Sequence, residues 1–273
     1  MQIDTFEVFV PVRNGESLLH ECLESLARQN DKNFNITVID NASTDKTPAI
    51  ALKFAERHGN FRYIRFENGV SLADNFNRCI ETADAKYFAI VHADDRVKPD
   101  YVKRFKKSIS EFPTAWLIFC QGDLIDDTGK FITSTKHKVR KFIYNKRGPT
   151  ISGNLGMTRL CSYNHLMAPC AIYNKNLLPN DLKFKSKYKY LVDQVFWIET
   201  LLAGGTISQT KEVLYDHRIH ANQLSATLRK ASSTLAEIEM FAPELRNSPK
   251  ASAAWRRYGR LLNLRNKLFS LFP

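Results

Sequence analysis

No run of about eighteen apolar residues occurs in this 273-residue chain, so no helix able to cross a bilayer is expected. The opening MQIDTFEVFVPV has no basic region followed by a long apolar core, so no signal peptide is expected either and a cytoplasmic location follows. The five cysteines (Cys22, Cys79, Cys120, Cys161, Cys170) are odd in number and show no metal-knuckle spacing. Four lie in apolar stretches and read as reduced core thiols, which excludes a disulfide framework. Glycine is scarce at the turns where nucleotide folds need it. No GxGxxG follows the first apolar run and no GxxxxGK[ST] occurs, so a dinucleotide fingerprint and a P-loop are both absent.

What the chain does have is a basic excess. There are 40 Lys+Arg against 28 Asp+Glu, a formal charge of +12. Such a balance suggests an acidic partner: nucleic acid, a phosphate-rich ligand or an anionic membrane. The excess is unevenly placed, because residues 1–95 hold 10 basic and 15 acidic residues. All of it falls in 96–273, and 130–147 alone carries seven Lys/Arg and no acid. That distribution argues against nucleic-acid binding by the first half. Hydrophobic residues at 44% suffice for one large core.

The first half alternates strand and helix patterns. Strands are expected at Phe6–Val12, Phe34–Ile39, Phe61–Phe66, Tyr87–Val91 and Ala115–Cys120. Helices are expected at Ser17–Arg28, Thr47–His58, Ser71–Ala83 and Pro99–Phe112. This alternation predicts an α/β fold with a mixed, mainly parallel central sheet and flanking helices, and ligands then bind at the carboxyl ends of its strands. Beyond it, Asp123–Thr135 reads as a hairpin turning at Asp127-Thr128-Gly129. A helix is expected at Leu191–Leu202 and a short strand at Glu212–Tyr215, with a largely helical chain from about Ser225, broken at Asn247-Ser248-Pro249.

Five places carry potential chemistry. Asp94-Asp95 follow a buried strand; they are either a solvated helix cap or ligands for a hard cation that also holds phosphate. Asp40-Asn41 end the second strand, as an Asx turn or as a reader of a base edge. Pro11-Val12-Arg13-Asn14-Gly15 form the turn after the first strand, against which a ligand ring can lie. Asp193 opens an apolar helix, either complementing its dipole or serving as a base with a raised pKa. The run from Tyr215 to His220, with its histidines and Arg218, is a contact for phosphate or metal or else a solvated basic turn.

Taken in order, these segments resemble the family 2 glycosyltransferases, an inverting group with the GT-A fold. FVPVRNGESLLHECLESLARQ is similar to that family's first strand and helix, and ITVIDNASTDKT to its nucleotide-binding turn, commonly VVDDGSTDGT. NGVSLADNFNRCIETADAKYFAIVHADD resembles the run into its aspartate motif. Val192-Asp193 falls at its acidic pair before an aromatic-rich helix, and Arg218-Ile219-His220 at its Arg-x-His segment. The likeness spans roughly residues 5–225.

The resemblance implies a nucleotide-binding half (1–95) and an acceptor half (96–225) within a GT-A domain (1–225), followed by a helical extension (226–273). It implies that Pro11, Val12, Arg13, Asn14, Asp40, Asn41 and Asn77 line the nucleoside, with Asp94 near the ribose. Asp95 is then the ligand of Mn²⁺ or Mg²⁺, His220 lies near that ion or the diphosphate with Arg218, and Asp193 is the catalytic base. The donor is a uridine or thymidine diphosphate sugar; the acceptor is a glycan or lipid-linked oligosaccharide of the surface polysaccharide, O-antigen or lipopolysaccharide type. Departures exist: Arg13 replaces an aromatic residue, Asn41 a second aspartate, Val192 an acid or glycine, Cys79 a glycine, and Leu72–Phe76 lacks an arginine common near the diphosphate.

Residues 251–272 form an amphipathic basic pattern with Trp255, Tyr258, Leu262 and Phe269 on one side. Peripheral contact with an anionic membrane and packing on the core or on a second copy are both open readings. Two other classes compete with the transferase. A basic nucleic-acid-binding protein needs exposed aromatics among its charges, and a metal-dependent nucleotidyltransferase needs a glycine-rich phosphate loop, for which only Gly15 is available.

Overall fold

The structure, a computed structural model, describes residues 6–162, 164–220, 223 and 233–248. Its first half follows the expected alternation. Strands β1 (Phe6–Val12), β2 (Asn35–Asn41), β3 (Phe61–Phe66) and β4 (Tyr87–Ile90) alternate with helices α1 (Leu19–Ala27), α2 (Thr47–Arg57) and α3 (Leu72–Thr82). These strands pair in parallel, β1 with both β2 and β4, and β2 with β3. The β1 and β4 side chains are almost all buried on both faces, the state in which a parallel sheet needs continuous apolar runs. Leu19, Cys22, Leu23 and Leu26 form the stripe that seats α1 on this core.

The second half contains β5 (Arg96–Val97), α4 (Tyr101–Glu111), β6 (Leu117–Ile125), β7 (Phe131–Ile132), α5 (Thr135–Lys146), β8 (Thr150–Ile151) and α6 (Gly153–Ser162). It continues with β9 (Ala171–Asn174), α7 (Val192–Leu202), β10 (Ile207–Arg218) and α8 (Ser233–Asn247). The strands make one sheet in the order β3-β2-β1-β4-β9-β6-β10-β5, with β7 on β6 and β8 on β10. The expected hairpin is present, with Ile125 opposite Phe131.

Helices α5 and α6 and the two-residue strands β5 and β8 were not expected from the sequence, and two longer-range features of the sheet also differ. The expected mixed character comes from β9, which pairs antiparallel with β4 and β6 and whose position was not anticipated. β9 has only four residues, too few for a periodicity to show. β10 has twelve residues where a four-residue strand was expected. Its pairing with β6 slips between Gln209 and Val213, and the bulge there interrupts the alternation that marks a strand.

α8 closes the described chain and packs where α7 begins. Glu237, 6% exposed, accepts hydrogen bonds from the backbone N–H groups of Lys189, Tyr190 and Leu191 at 2.8–3.1 Å. Phe241 meets the Tyr188 ring edge-on at 5.8 Å. α8 ends at Asn247, at the expected break, and the amphipathic pattern of 251–272 lies outside the described residues. Among the described residues no helix is long and apolar enough to cross a membrane.

Candidate active site

The carboxyl ends of β1, β2, β4 and β10 meet at one edge of the sheet, and α7 presents its first turn there. At the β4 end, ligand atoms of His92, Asp94 and Asp95 lie within 4.8 Å of one another, a set able to hold a metal ion. Asp95 is 1% exposed yet ionised. Burial alone would raise its carboxyl; the charge and hydrogen bond of His217, with His92 and the Arg218 amide, outweigh burial and hold the pKa below the usual range. His217 Nδ1 lies 3.2 Å from both Asp95 oxygens, and the Arg218 N–H donates to one of them at 2.7 Å. Burial would lower the His217 pKa, but Asp95 raises it overall, so the two groups stabilise each other's charged forms. Asp94 is less enclosed and sits 3.0 Å from His220 Nε2. The acidic pair, His92, His217 and His220 are therefore brought together from two strands more than a hundred residues apart.

Asp193 is the second residue of α7. Burial pushes its carboxyl up to about 6, and the positive end of His92 pulls the other way without cancelling the rise. Its neighbours Val192, Val195 and Phe196 are buried, so the charge is poorly solvated although Asp193 itself keeps a partly exposed edge toward the site. The His92 ring stacks on Phe76 at 5.7 Å, which fixes it between the acidic pair and the α7 side of the site.

The turns expected to meet a nucleoside are rigidly interlocked. Asn14 and Ala42 both have positive φ, 53° and 57°, the left-handed region that costs a residue with a Cβ. Asn14 N–H donates to Ser43 Oγ at 2.9 Å, and its side-chain oxygen accepts from the Thr44 N–H at 2.8 Å. Gly15 N–H donates to Thr47 Oγ1 at 2.8 Å, and a Cβ on Gly15 would meet Val12 Cγ2 at 2.6 Å. Pro11 and Val12 are buried, while Arg13 is exposed beside Gly69.

Several expected site residues spend their polar groups internally. Asp40 is fully buried and accepts from the Ser43 N–H, the Tyr63 hydroxyl and Arg65. The Asn41 amide clamps Val70 through both its N–H and C=O, and its oxygen also accepts from Arg78. Asn77 does the same to the backbone of Phe184. Arg218, 1% exposed, donates to the carbonyls of Asp94, Asp126 and Asp127 and to Glu21 on α1. Asn77 thus braces the backbone at Phe184, while Arg218 touches the acidic pair directly, its N–H on Asp95 and its guanidinium on the Asp94 carbonyl. Sequence reasoning passed over His92 and Glu237. The first was signalled by its place two residues before Asp94; nothing local marked the second.

The comparisons with known proteins agree with this architecture. The model of the glycosyl transferase family 2 matches residues 7–178. EpsH of Bacillus subtilis, named as a glycosyltransferase, is 26% identical over 261 residues, covering 92% of this chain and 72% of EpsH. Glycosyltransferase GlyA of Streptococcus pneumoniae is 36% identical over 110 residues, which are 40% of this chain and 16% of GlyA. S. aureus TarS 1–349, solved in complex with UDP-GlcNAc, superposes with a TM-score of 0.74 at 20% identity, covering 97% of this chain and 73% of that one. The mannosyltransferase PcManGT of Pyrobaculum calidifontis, solved with GDP-Man and Mn²⁺, gives 0.69 at 18% identity, covering 96% and 71%. At these identities the two structures speak to the fold, which is the GT-A arrangement of a central sheet flanked by helices. With its family model covering well over half of the chain, this protein belongs to glycosyl transferase family 2 and is a glycosyltransferase.

Proposed function

We propose that the protein transfers a sugar, with inversion, from a uridine or thymidine diphosphate sugar to a hydroxyl of a glycan or lipid-linked acceptor in surface polysaccharide synthesis. The observation that carries the reading is the pairing of opposite chemistries at one sheet edge: an ionised acidic centre and, beside it, a carboxyl whose pKa is pushed up to about 6. The similar folds solved with UDP-GlcNAc and with GDP-Man and Mn²⁺ support a nucleotide-sugar donor.

Donor cleavage places negative charge on the leaving diphosphate. The donor set His92, Asp94 and Asp95 mixes imidazole nitrogen with carboxylate oxygen and fits Mn²⁺, and Mg²⁺ less well. A divalent cation there supplies electrostatic stabilisation of the departing diphosphate. His217 keeps Asp95 ionised and oriented, and His220 orients Asp94. Asp193 accepts the proton of the acceptor hydroxyl; its raised pKa makes it a better base than an ordinary aspartate while leaving it ionised at neutral pH. A single displacement needs no second carboxylate as a nucleophile. The turns at Asn14 and Ala42 shape the nucleoside pocket, where Arg13 is the exposed side chain free to meet the base. Asp40 and Asn41 set the backbone of that pocket through their internal bonds.

The test is Asp193→Asn, screened for sugar release and transfer against a panel of nucleotide sugars. Retained nucleotide binding with transfer reduced about 10³-fold or more is expected for loss of a general base. Normal turnover by the variant removes Asp193 from that role.

A further inference from the structure

The helix α5 covers the place where β6 and β10 lose register. At the β10 bulge the Tyr144 hydroxyl reaches in to the carbonyls of Phe119 and Thr210, at 2.8 and 3.0 Å. Gln121 donates there to the Lys211 carbonyl at 3.0 Å. Between this anchor and the acidic centre a crevice remains, lined by Gln121, His137, Arg140, Lys141 and Tyr144 among others. It is narrow, with an interior of about 10 Å³, room for one water-sized group below an open mouth.

The polar groups facing it are unbalanced. His137 is 7% exposed, yet neither ring nitrogen has a hydrogen-bond partner among the described residues. The Arg140 Nε is likewise buried and unpartnered, as is the Gln121 side-chain oxygen. Leaving such groups unmade is costly, so native interiors rarely keep two together without a use. The local acid, Asp123, is already neutralised by Lys141 at 2.5 Å and Lys98 at 3.7 Å. What remains toward the crevice is a cationic guanidinium and an imidazole whose pKa is lowered by burial and then by Lys141 and Arg140. This set repels a metal ion and offers donors to an anion. The Arg140 charge also reaches His217, the partner of Asp95, which places the crevice at the flank of the reacting centre.

We propose that the crevice between α5 and β6 is an anion subsite whose floor receives one oxygen of a phosphate or carboxylate group of the acceptor, held by Arg140 and His137. The inference rests on the glycosyltransferase reading and extends it, because it makes the acceptor acidic. The crevice admits a single oxygen of such a group and excludes a sugar ring, so it anchors the acceptor by its charge while the hydroxyl faces Asp193. The basic run on the same helix gives incoming anions a favourable field.

The experiment uses the full chain labelled with ¹⁵N-histidine, its His137 ring signal assigned through His137→Gln. Inorganic phosphate and glucuronate are titrated separately, each with and without saturating UDP and Mg²⁺. A saturable shift of the His137 signal with either anion, unchanged by UDP, is expected. Arg140→Gln should weaken it about tenfold or more, the loss of one charge-assisted contact. Lys138→Gln, on the exposed face of α5, should leave it unchanged. No shift with either anion, or an undiminished shift in a folded Arg140→Gln, overturns the subsite. Competition by UDP assigns the anion to the donor and overturns the acceptor role. UDP binding without any anion shift sinks the subsite alone; an anion shift without UDP binding sinks the donor reading, and the acceptor assignment with it.

Discussion

At Asp193, function and stability pull apart. Its folded pKa, about 6, lies above the usual aspartate value, so the folded protein binds the proton more tightly than the unfolded chain. The resulting penalty is absent below about pH 4 and grows as pH rises to about 6. Asp193→Asn removes it. The variant should therefore be more stable than the parent at pH 8, by about 1–3 kcal/mol, and equal to it near pH 4; paired thermal melts check this. The same group sets the acid limb of catalysis: turnover should fall about tenfold per unit below pH 6, where Asp193 is protonated and accepts nothing. A flat profile between pH 5 and 7 would show that another group carries the proton. At this scale much was legible. Adjacent acids after a buried strand and a lone acid opening an apolar helix stand out in any sequence. Internal spending of polar groups does not: Asn41 and Asn77 are amides whose partners are backbone groups 29 and 107 residues away, which no local pattern encodes.

Elements position these residues, and two junctions govern the site. The turn from β1 into α1 has no room at Gly15, since a Cβ there would meet Val12 Cγ2 at 2.6 Å. Gly15→Ala should cost about 1–3 kcal/mol and weaken nucleotide binding with it, measured by denaturant unfolding and a UDP titration. At the other junction, Glu237 on α8 gathers the N–H groups of Lys189, Tyr190 and Leu191, directly ahead of Asp193. Glu237→Ala should lower kcat about tenfold or more while donor affinity stays within about twofold, because it frees the first turn of α7 and not the acidic centre. Equal losses in both would mark Glu237 as a general prop of the fold. The strong helices and the four parallel strands were readable because their periods run for several turns or residues. β9 and the full length of β10 were hidden, one by brevity and the other by the bulge beneath α5.

The whole molecule divides its charge. Residues 1–95 are acid-rich, and the +12 total comes from the rest of the chain. The acidic edge is stabilised from the basic half: His217 and His220 on or after β10 hold Asp95 and Asp94, and Arg96 and Arg218 both reach Glu21 on α1. The two halves complete one centre, so neither is expected to bind donor alone. The central claim is that this centre binds a nucleoside diphosphate through a divalent cation. The direct measurement is thermal unfolding with UDP, dTDP and GDP, each with and without Mn²⁺, for the parent and for Asp95→Asn. The account predicts a rise of several degrees with UDP or dTDP that requires Mn²⁺ and disappears in Asp95→Asn. No rise with any of the three nucleotides, or an equal rise in the variant, would contradict it.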